Sequence, residues 1–291
     1  MTTAAQWIAG ARPRTLGAAV SPVLVGTAAA YAEVDAVIWW RAGAALVVAF
    51  ALQVGVNYAN DYSDGVRGTD DVRAGPLRLT ASKVATPTAV LIAAALAFGV
   101  AAVMGLVLAV VVDLRLLLVG AAAIAAGALY TGGPRPYGYA GFGELAVLVF
   151  FGLVATAGSA YVQIERVPAV AWWGAIAVGL LACAILLANN IRDIDGDRAA
   201  GKRTLAVRLG APRARVTYAA CVAAAFAIVL VVALVSSAWA LLALFALPLA
   251  VRPFRLVLTR TDPPSLVAAL VGTSRLELVF SVLLALGLVL A

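Results

Sequence analysis

The sequence predicts an all-α, polytopic membrane protein built as a bundle of nine transmembrane helices. The first observation is composition: of 291 residues, 64% are hydrophobic and only 12% are charged, whereas about a quarter are charged in ordinary soluble proteins. The second is that residues 84–112, 167–191 and 216–251 contain no charge. A helix needs roughly 20 apolar residues to cross a bilayer, so each of these stretches is long enough to do so.

The apolar runs divide the chain into nine predicted spans, which we assign to a single membrane domain over residues 1–291. In order, these spans cover residues 15–32, 38–60, 86–112, 115–131, 142–163, 168–190, 214–235, 238–257 and 265–290. The run 216–251 would be about 54 Å long as one helix, so we divide it at Ser236 and Ser237. The fourth span is short, and its start near residues 113–115 is the least defined boundary.

The basic residues predict how the bundle sits in the membrane. On this map, 17 of the 21 lysines and arginines flank the span ends on the side of the N-terminus, while three flank the opposite ends and Arg275 lies within the last span. Positively charged loops stay in the cytoplasm. We therefore expect a multi-pass protein of the cell (inner) membrane, with a cytoplasmic N-terminus and the C-terminus outside. The net charge of +7 then reflects topology in the lipid bilayer and predicts no nucleic-acid partner.

The acidic residues are concentrated in two windows at the predicted cytoplasmic ends of the second and sixth spans. Half of the 14 acidic residues lie there, namely Asp61, Asp64, Asp70, Asp71, Asp193, Asp195 and Asp197. The chain contains no histidine, which excludes mechanisms that need a histidine base or ligand. Chemistry at these windows must therefore use carboxylates and the groups beside them.

Helical spacing places an amide and two carboxylates on one face in each window. The first face carries Asn57, Asp61 and Asp64. The second carries Asn189, Asp193 and Asp197, whereas Asp195 points elsewhere. The two amides are 132 residues apart, with an even number of spans between them. This offset predicts a parallel internal repeat of four helices, followed by a ninth helix.

The clustered carboxylates predict a magnesium site. Carboxylates repel one another unless a cation lies between them, and hard oxygen ligands without histidine or cysteine suit Mg²⁺, which bridges carboxylates to substrate phosphates. The alternative is that these are solvated loop acids paired with arginines. We favour the site because polar groups inside membrane helices are costly and usually functional. The predicted metal ligands are Asp61, Asp64, Asp193 and Asp197, with Asn57 and Asn189 completing the catalytic set.

Donors suited to a phosphate group follow each window. Arginine offers bidentate contacts to phosphate, and lysine offers a point charge. The alternative is that cytoplasmic loops collect basic residues for topology alone. The predicted diphosphate-binding residues are Asn60, Arg67, Lys202 and Arg203.

Several sequence blocks resemble the UbiA superfamily of intramembrane prenyltransferases. The two aspartate-rich windows resemble the superfamily's two aspartate motifs, and nine helices with both motifs on the cytoplasmic side match as well. Within the superfamily, the resemblance is closest to the branch that prenylates 1,4-dihydroxy-2-naphthoate in menaquinone biosynthesis. The blocks that carry this closer resemblance are Arg12–Leu16, Gly68–Arg73, Tyr130–Pro134, Pro136–Gly138 and Gly201–Gly210.

The resemblance implies a Mg²⁺-dependent transferase. A polyprenyl diphosphate would lose its diphosphate, and the allylic cation would alkylate the naphthoate ring with loss of CO₂, giving demethylmenaquinone. An arginine would hold the acceptor carboxylate, and Glu144 would serve as a base for a ring hydroxyl or as an ordinary interface acid. The candidate acceptor-binding residues are Arg14, Tyr130, Arg135 and Glu144.

Two other functions remain open from the sequence. A related enzyme of the same fold would act on 4-hydroxybenzoate, homogentisate, haem or a lipid alcohol. A cation-coupled transporter would also carry acids in its membrane helices. Transporter sites usually lie near the midplane at broken helices, whereas these acids cluster at one predicted membrane face beside donors suited to phosphate.

Overall fold

The computed structural model describes residues 2–69 and 77–291. Within these residues the regular secondary structure is helical, without strands, which confirms the predicted fold class. The helices are α1 Ala4–Gly10, α2 Gly17–Val34, α3 Trp39–Val66, α4 Pro87–Val111, α5 Leu116–Leu129, α6 Gly143–Ile164, α7 Ala169–Arg192, α8 Ile194–Ala199, α9 Leu205–Val235, α10 Ala238–Thr259 and α11 Pro263–Val289. Short 3₁₀ turns at Pro13–Thr15 and Tyr137–Ala140 link them.

Among the described residues, eight helices are long and apolar enough to cross a membrane: α2, α3, α4, α6, α7, α9, α10 and α11. The ninth apolar helix, α5, has 14 residues and measures about 21 Å, less than the apolar thickness of a bilayer. The predicted count of nine spans therefore stays a prediction.

The seventh predicted span differs most from the structure. Helix α9 begins at Leu205 rather than at residue 214, because Thr204 caps it by accepting a hydrogen bond from the backbone N–H of Val207 at 3.4 Å. Its first turns carry arginines, which hide them from a search for apolar runs. A kink at Gly210, with φ of 75°, separates those turns from the apolar part of the helix. Position 210 suits glycine because that φ is unfavourable for other residues.

Two predicted helix breaks agree with the structure. Helix α9 ends at Val235, and α10 begins at Ala238 after the two serines. The turn between α4 and α5 contains Asp113, which accepts hydrogen bonds from the backbone and side chain of Arg115 and from Tyr161 of α6. The hydrogen bond from the Arg115 side chain, followed by that from Tyr161, holds the pKa of Asp113 below its usual range. This turn thereby fastens α5 to the end of α6.

Helix α7 is the most enclosed of the long apolar helices and lies at the centre of the bundle. It packs against α9, α11, α6 and α2. At its contact with α6, a Cβ on Gly152 would lie 2.7 Å from the Cα of Gly179, so the two helices meet backbone to backbone. The outer surface is apolar: Leu96 and Leu118 are 67% and 75% exposed, as expected for side chains that face lipid.

The arrangement of the two motif helices is consistent with the predicted repeat. Each motif helix packs most extensively against the next long helix in the chain, α3 against α4 and α7 against α9. Helices α3 and α7 both end on the side of the bundle that holds the turn Tyr137–Ala140 and the start of α9. The two acidic windows are therefore brought together although 132 residues separate their leading amides.

Candidate active site

A cavity of about 770 Å³ extends through the bundle between α2, α3, α5, α6 and α7. Its polar end lies where α3 and α7 end. The polar residues that line this end are Asn57, Asn60, Asp64, Asn189, Asn190, Arg192, Asp193, Asp197 and Lys202. Towards the other end the lining becomes apolar and includes Val48, Leu108, Val119, Phe151 and Val154. One cavity thus joins both acidic windows to a long apolar chamber.

Asp64 is the centre of the polar contacts made by the first window. Its Oδ1 lies 3.0 Å from Nζ of Lys202, and Tyr139 Oη donates a second hydrogen bond to the same oxygen. The ammonium of Lys202 also stands 4.6 Å from the centre of the Tyr139 ring. Burial, together with the nearby Asp64 carboxylate, raises the pKa of Tyr139, so its hydroxyl stays protonated as a donor. A cation already neutralises this carboxylate from within the chain.

The two asparagines of the first window line the same cavity and are fixed by neighbouring segments. Asn57 donates from Nδ2 to the carbonyl of Ala11 at 2.9 Å, which ties α3 to the N-terminal segment. Asn60 accepts at Oδ1 from the hydroxyl of Thr131 at 2.7 Å. Both amides are buried, and these bonds set which amide atom each presents to the cavity.

Asp61 is placed differently from the prediction, because its carboxylate does not line the cavity. Both oxygens accept backbone hydrogen bonds, Oδ2 from Leu79 and Oδ1 from Thr80, each at 2.8 Å. The side chain is 1% exposed. Asp61 therefore anchors the segment that leads into α4, and its predicted role as a metal ligand gains no support from this geometry.

The second window is built around a break in the helix rather than on one continuous face. Helix α7 ends at Arg192, Asp193 adopts non-helical angles of φ −97° and ψ 4°, and α8 starts at Ile194. Arg192 forms a bidentate pair with Asp193, with both N–O distances at 2.7 Å, and also donates to Oδ1 of Asn189 at 3.0 Å. Asp197 still reaches the cavity, because its backbone N–H bonds to the carbonyl of Asp193 at 2.8 Å.

Asp195 points away from the cavity, as predicted. Its side chain is 98% exposed, and its carboxylate lies 3.4 Å from the Arg198 guanidinium. The two acids on either side of it in the window, Asp193 and Asp197, both line the cavity. The window thus separates two inward carboxylates from one outward carboxylate.

The candidate acceptor and diphosphate residues divide into those inside and those outside the cavity. Arg14, Tyr130 and Lys202 line it. Glu144 is buried beside it and accepts a hydrogen bond from Asn190 at 2.9 Å, so it supports the motif helix α7 rather than facing the cavity.

The three remaining basic candidates lie outside the cavity lining, contrary to the roles predicted for them. Arg67 donates to the carbonyls of Thr131 and Gly133 and thereby braces the turn after α5. Arg203 and Arg135 are exposed. Asp70 and Asp71, also part of the first window, lie outside the described residues.

The donor set of the cavity fits a magnesium ion. Asp64, Asp193 and Asp197 supply hard carboxylate oxygens, and Asn57, whose Nδ2 is bound to Ala11, supplies an amide oxygen. No group of three or more acids or cysteines placed to hold an ion by themselves occurs in residues 2–69 and 77–291. Mg²⁺ usually takes one or two carboxylates and completes its shell with water and substrate phosphates, so two facing sets of carboxylates suit an ion that arrives with a phosphorylated substrate.

The cavity lining includes polar side chains that the sequence-based prediction missed, among them Arg12, Gln53, Tyr139, Asn190 and Arg192. Arg192 and Asn190 stand within the second window, so the window itself was a signal for them. Gln53 stands one helical turn before Asn57, where an uncharged polar residue inside a predicted span was a weaker signal. Tyr139 is brought in by the turn after α5, and no spacing in the sequence indicates that contact.

Comparison with known proteins agrees with this geometry. The model of the UbiA prenyltransferase family matches residues 19–276. Two proteins named 1,4-dihydroxy-2-naphthoate octaprenyltransferase are similar to this chain. That of Mycobacterium tuberculosis is 54% identical over 87% of this chain and 86% of its own length, and that of Mycobacterium leprae is 49% identical over 100% and 98%.

Among solved structures, a UbiA homolog from Archaeoglobus fulgidus bound to GPP and Mg²⁺ superimposes with a TM-score of 0.69 over 98% of this chain and 100% of that chain. The two sequences are 14% identical, so the match shows the fold alone.

Proposed function

The chain belongs to the UbiA prenyltransferase family, and we propose that it transfers a polyprenyl group from polyprenyl diphosphate to 1,4-dihydroxy-2-naphthoate, with loss of CO₂ and diphosphate. The names of relatives that are 49–54% identical and nearly coextensive with this chain support the choice of acceptor. The structural observation that carries the proposal is the single cavity, because it joins a charged end to an apolar chamber. A polyprenyl diphosphate has the same division between a charged head and an apolar tail.

The reaction breaks one C–O bond and exchanges one C–C bond for another. The bond between C1 of the prenyl chain and the diphosphate oxygen breaks, and its electron pair leaves with diphosphate. The ring carbon that bears the carboxylate then forms a bond to the allylic C1. The bond from that ring carbon to the carboxylate breaks next, CO₂ departs, and the electron pair restores the aromatic ring. The product is the quinol form of demethylmenaquinone.

The polar end of the cavity is suited to the departing diphosphate. Negative charge builds on the leaving oxygens as the C–O bond breaks, and donors fixed in advance stabilise it most where water is excluded. Lys202 is buried and held beside Asp64 by a 3.0 Å contact and by the ring of Tyr139. We assign diphosphate binding to Lys202 together with Asn60, whose Oδ1 is taken by Thr131 and whose amide nitrogen is left as a donor.

We assign Asp64, Asp193 and Asp197 as the ligands of Mg²⁺, which, when bound, would neutralise diphosphate charge and help it leave. The bidentate contact with Arg192 fixes the Asp193 carboxylate at the cavity wall. The backbone bond from Asp197 to Asp193 holds the third carboxylate on the same side. Asn189 keeps Arg192 in place by accepting its third hydrogen bond.

The apolar chamber protects the allylic cation and holds the isoprenoid tail. A cation of this kind reacts with any water that reaches it, so the wall beyond the polar end must exclude water. Val48, Leu108, Phe151 and Val154 provide such a wall. The bundle itself suits a multi-pass protein of the cell membrane, and we place the N-terminus and the polar end on the cytoplasmic side because most basic residues lie there.

Purified protein in lipid nanodiscs, given Mg²⁺, radiolabelled polyprenyl diphosphate and 1,4-dihydroxy-2-naphthoate, should form a labelled prenylated quinol and release CO₂. Parallel reactions with 4-hydroxybenzoate or homogentisate provide the comparison, and omission of Mg²⁺ with added chelator should stop turnover. Product formed solely with another aromatic acid would overturn the choice of acceptor. Absence of transfer to any acceptor would overturn the enzyme, and full activity after chelation would overturn the role of the metal.

A further inference from the structure

Gln53 lines the cavity and carries a buried hydrogen-bond acceptor without a partner. Its side chain is 7% exposed within α3, and Nε2 donates to the carbonyl of Thr15 at 2.8 Å. Because that contact occupies the amide nitrogen, Oε1 is left facing away from Thr15, buried and without a hydrogen-bond partner. Buried polar atoms are almost always paired in folded proteins, so this oxygen marks a place for a donor that the chain itself does not supply.

Arg12 lines the same cavity and carries a buried donor without a partner. It follows α1 and adopts a left-handed conformation with φ of 58°, which turns the chain into the 3₁₀ segment Pro13–Thr15. Its Nη2 is buried without a hydrogen-bond partner, although the residue lines the cavity wall. A buried guanidinium normally pairs with an anion, and none of the described residues provides one to this nitrogen.

One turn joins the backbone of Arg12 to the side chain of Gln53. The carbonyl of Arg12 accepts hydrogen bonds from the backbone N–H and the hydroxyl of Thr15, each at 3.1 Å. The carbonyl of Thr15 in turn accepts from Gln53. The unpaired cation and the unpaired acceptor are therefore held by the same short segment on the same cavity.

We propose that Arg12 and Gln53 form the binding site for the aromatic acceptor, with Arg12 contacting its carboxylate and Gln53 accepting a hydrogen bond from one ring hydroxyl. This assignment rests on the proposed function and names two residues that the sequence did not indicate for the acceptor. A dihydroxynaphthoate offers one anionic group and two hydroxyl donors on a rigid ring. It therefore satisfies a cation and a hydrogen-bond acceptor at the same time.

The alternative ligands of the cavity fit these two atoms less well. An ionised diphosphate would place oxygen lone pairs against Gln53 Oε1, which can accept but not donate. An isoprenoid tail would leave both atoms unpaired. Gln53 precedes Asp64 by 11 residues on α3, about 16 Å along the helix axis. The acceptor would then lie further along the cavity than the diphosphate, next to C1 of the prenyl chain.

Steady-state kinetics in nanodiscs test the assignment with Arg12→Asn and Gln53→Leu. Asparagine tolerates the positive φ at position 12, and leucine keeps the approximate size of the glutamine. Arg12→Asn should raise the KM for the naphthoate by about tenfold or more, the effect expected for a lost hydrogen bond to a charged group. Gln53→Leu should raise it by about 2–12-fold, the effect expected for a lost neutral hydrogen bond. Both should leave the KM for polyprenyl diphosphate within about twofold. Arg135→Asn, at an exposed arginine outside the cavity, is the matched control and should change neither KM.

Naphthoate analogues that lack the carboxylate or one hydroxyl show which group each of the two residues contacts. Loss of the carboxylate, in 1,4-dihydroxynaphthalene, should weaken binding to the wild type but not further weaken binding to Arg12→Asn. Of 1-hydroxy-2-naphthoate and 4-hydroxy-2-naphthoate, the one that lacks the hydroxyl bound by Gln53 should bind the wild type more weakly than the other does, and this difference should disappear in Gln53→Leu. Arg12→Lys should recover part of the carboxylate effect, because it restores the charge.

Calorimetric titration of each protein with 1,4-dihydroxy-2-naphthoate separates this inference from the proposed function. Whether or not the protein turns over, Arg12→Asn should bind it about tenfold or more weakly than the wild type, and Gln53→Leu about 2–12-fold more weakly. Wild-type affinity in both variants, with thermal unfolding unchanged, would overturn the inference and leave the two atoms to ordered water. Absence of prenyl transfer by a wild type that binds the naphthoate through these residues would overturn the proposed function alone.

Discussion

The two acidic windows look alike in sequence and are built differently in the structure. In the first, α3 continues as an unbroken helix to Val66, and its two carboxylates diverge: Asp64 reaches the cavity, while Asp61 holds the backbone of the following segment. In the second, α7 stops at Arg192, and both Asp193, at the break, and Asp197, after it, line the cavity.

The difference shows that two carboxylates on the same helix face can bind different groups. Side chains three or four residues apart on α3 point in similar directions. The Asp61 carboxylate nevertheless accepts hydrogen bonds from the backbone N–H groups of residues 79 and 80 and does not line the cavity. The two backbone hydrogen bonds hold both Asp61 oxygens on the segment that leads into α4, and Asp61 is not among the residues that line the cavity. Three inward carboxylates, rather than four, therefore define the site that we assign to Mg²⁺.

Asp64→Asn should cause the largest loss of activity, because Asp64 faces the cavity whereas Asp61 anchors the backbone. The substitution keeps the shape of the side chain but removes the charge that holds Lys202 and, under our proposal, the metal. We expect kcat/KM to fall by about 10²–10³-fold, the usual cost of losing a group that stabilises developing charge. Prenyl transfer in nanodiscs is the measurement. The same change at the exposed Asp195 is the control for the chemistry of the substitution, and near wild-type turnover by Asp64→Asn would contradict the assignment.

Lys202→Met should have the next largest effect, chiefly on the diphosphate substrate. Methionine fills the space of the lysine stem without its charge. A lost hydrogen bond to a charged group costs about 1.5–3 kcal/mol, so we expect the KM for polyprenyl diphosphate to rise by about 10–100-fold while the KM for the naphthoate changes little. Titration of both substrates measures the split. Lys202→Arg, which keeps the charge, should recover much of the affinity; equal KM changes for both substrates would indicate collapse of the polar end instead.

Much of the fold and part of the site could be predicted from the sequence. Long uncharged runs predict spanning helices because unpaired backbone groups are not tolerated in lipid, and the break at Ser236 and Ser237 follows from length alone. Asp64, Asp193 and Asp197 were identified because carboxylates at the ends of apolar helices are rare and need a reason. The outward direction of Asp195 followed from helical spacing.

The rest of the site depends on contacts between distant segments. Tyr139 and Thr131 reach the first window only because the turn after α5 folds over α3. Arg67 looked like a phosphate ligand, but the carbonyls of that same turn take its guanidinium. Gln53 and Arg12 are brought together by hydrogen bonds through Thr15. Spacing along one helix contains none of this information.

Asp61→Asn tests the anchoring role directly and should reduce stability more than catalysis. Asparagine can accept one of the two backbone hydrogen bonds with its oxygen and presents an NH₂ group to the other. A buried N–H left unpaired costs about 1–3 kcal/mol. Thermal unfolding followed by tryptophan fluorescence should show a lower midpoint, and kcat/KM should fall by less than about tenfold, well below the loss in Asp64→Asn. A loss of activity equal to that of Asp64→Asn, without a lower midpoint, would return Asp61 to the metal site.

Asp195→Asn should have the smallest effect of the series, although it lies between two carboxylates of the site. The side chain is 98% exposed and meets only Arg198, at 3.4 Å, among the contacts of the described residues. Exposed ion pairs contribute little, and surface substitutions away from a site change equilibria by about twofold or less. We expect kcat/KM and the unfolding midpoint to stay near those of the wild type in paired assays with Asp193→Asn. Because both variants lose one charge from the same window, equal damage would mean that total charge matters, whereas unequal damage would show that the break at Asp193 decides which carboxylates act.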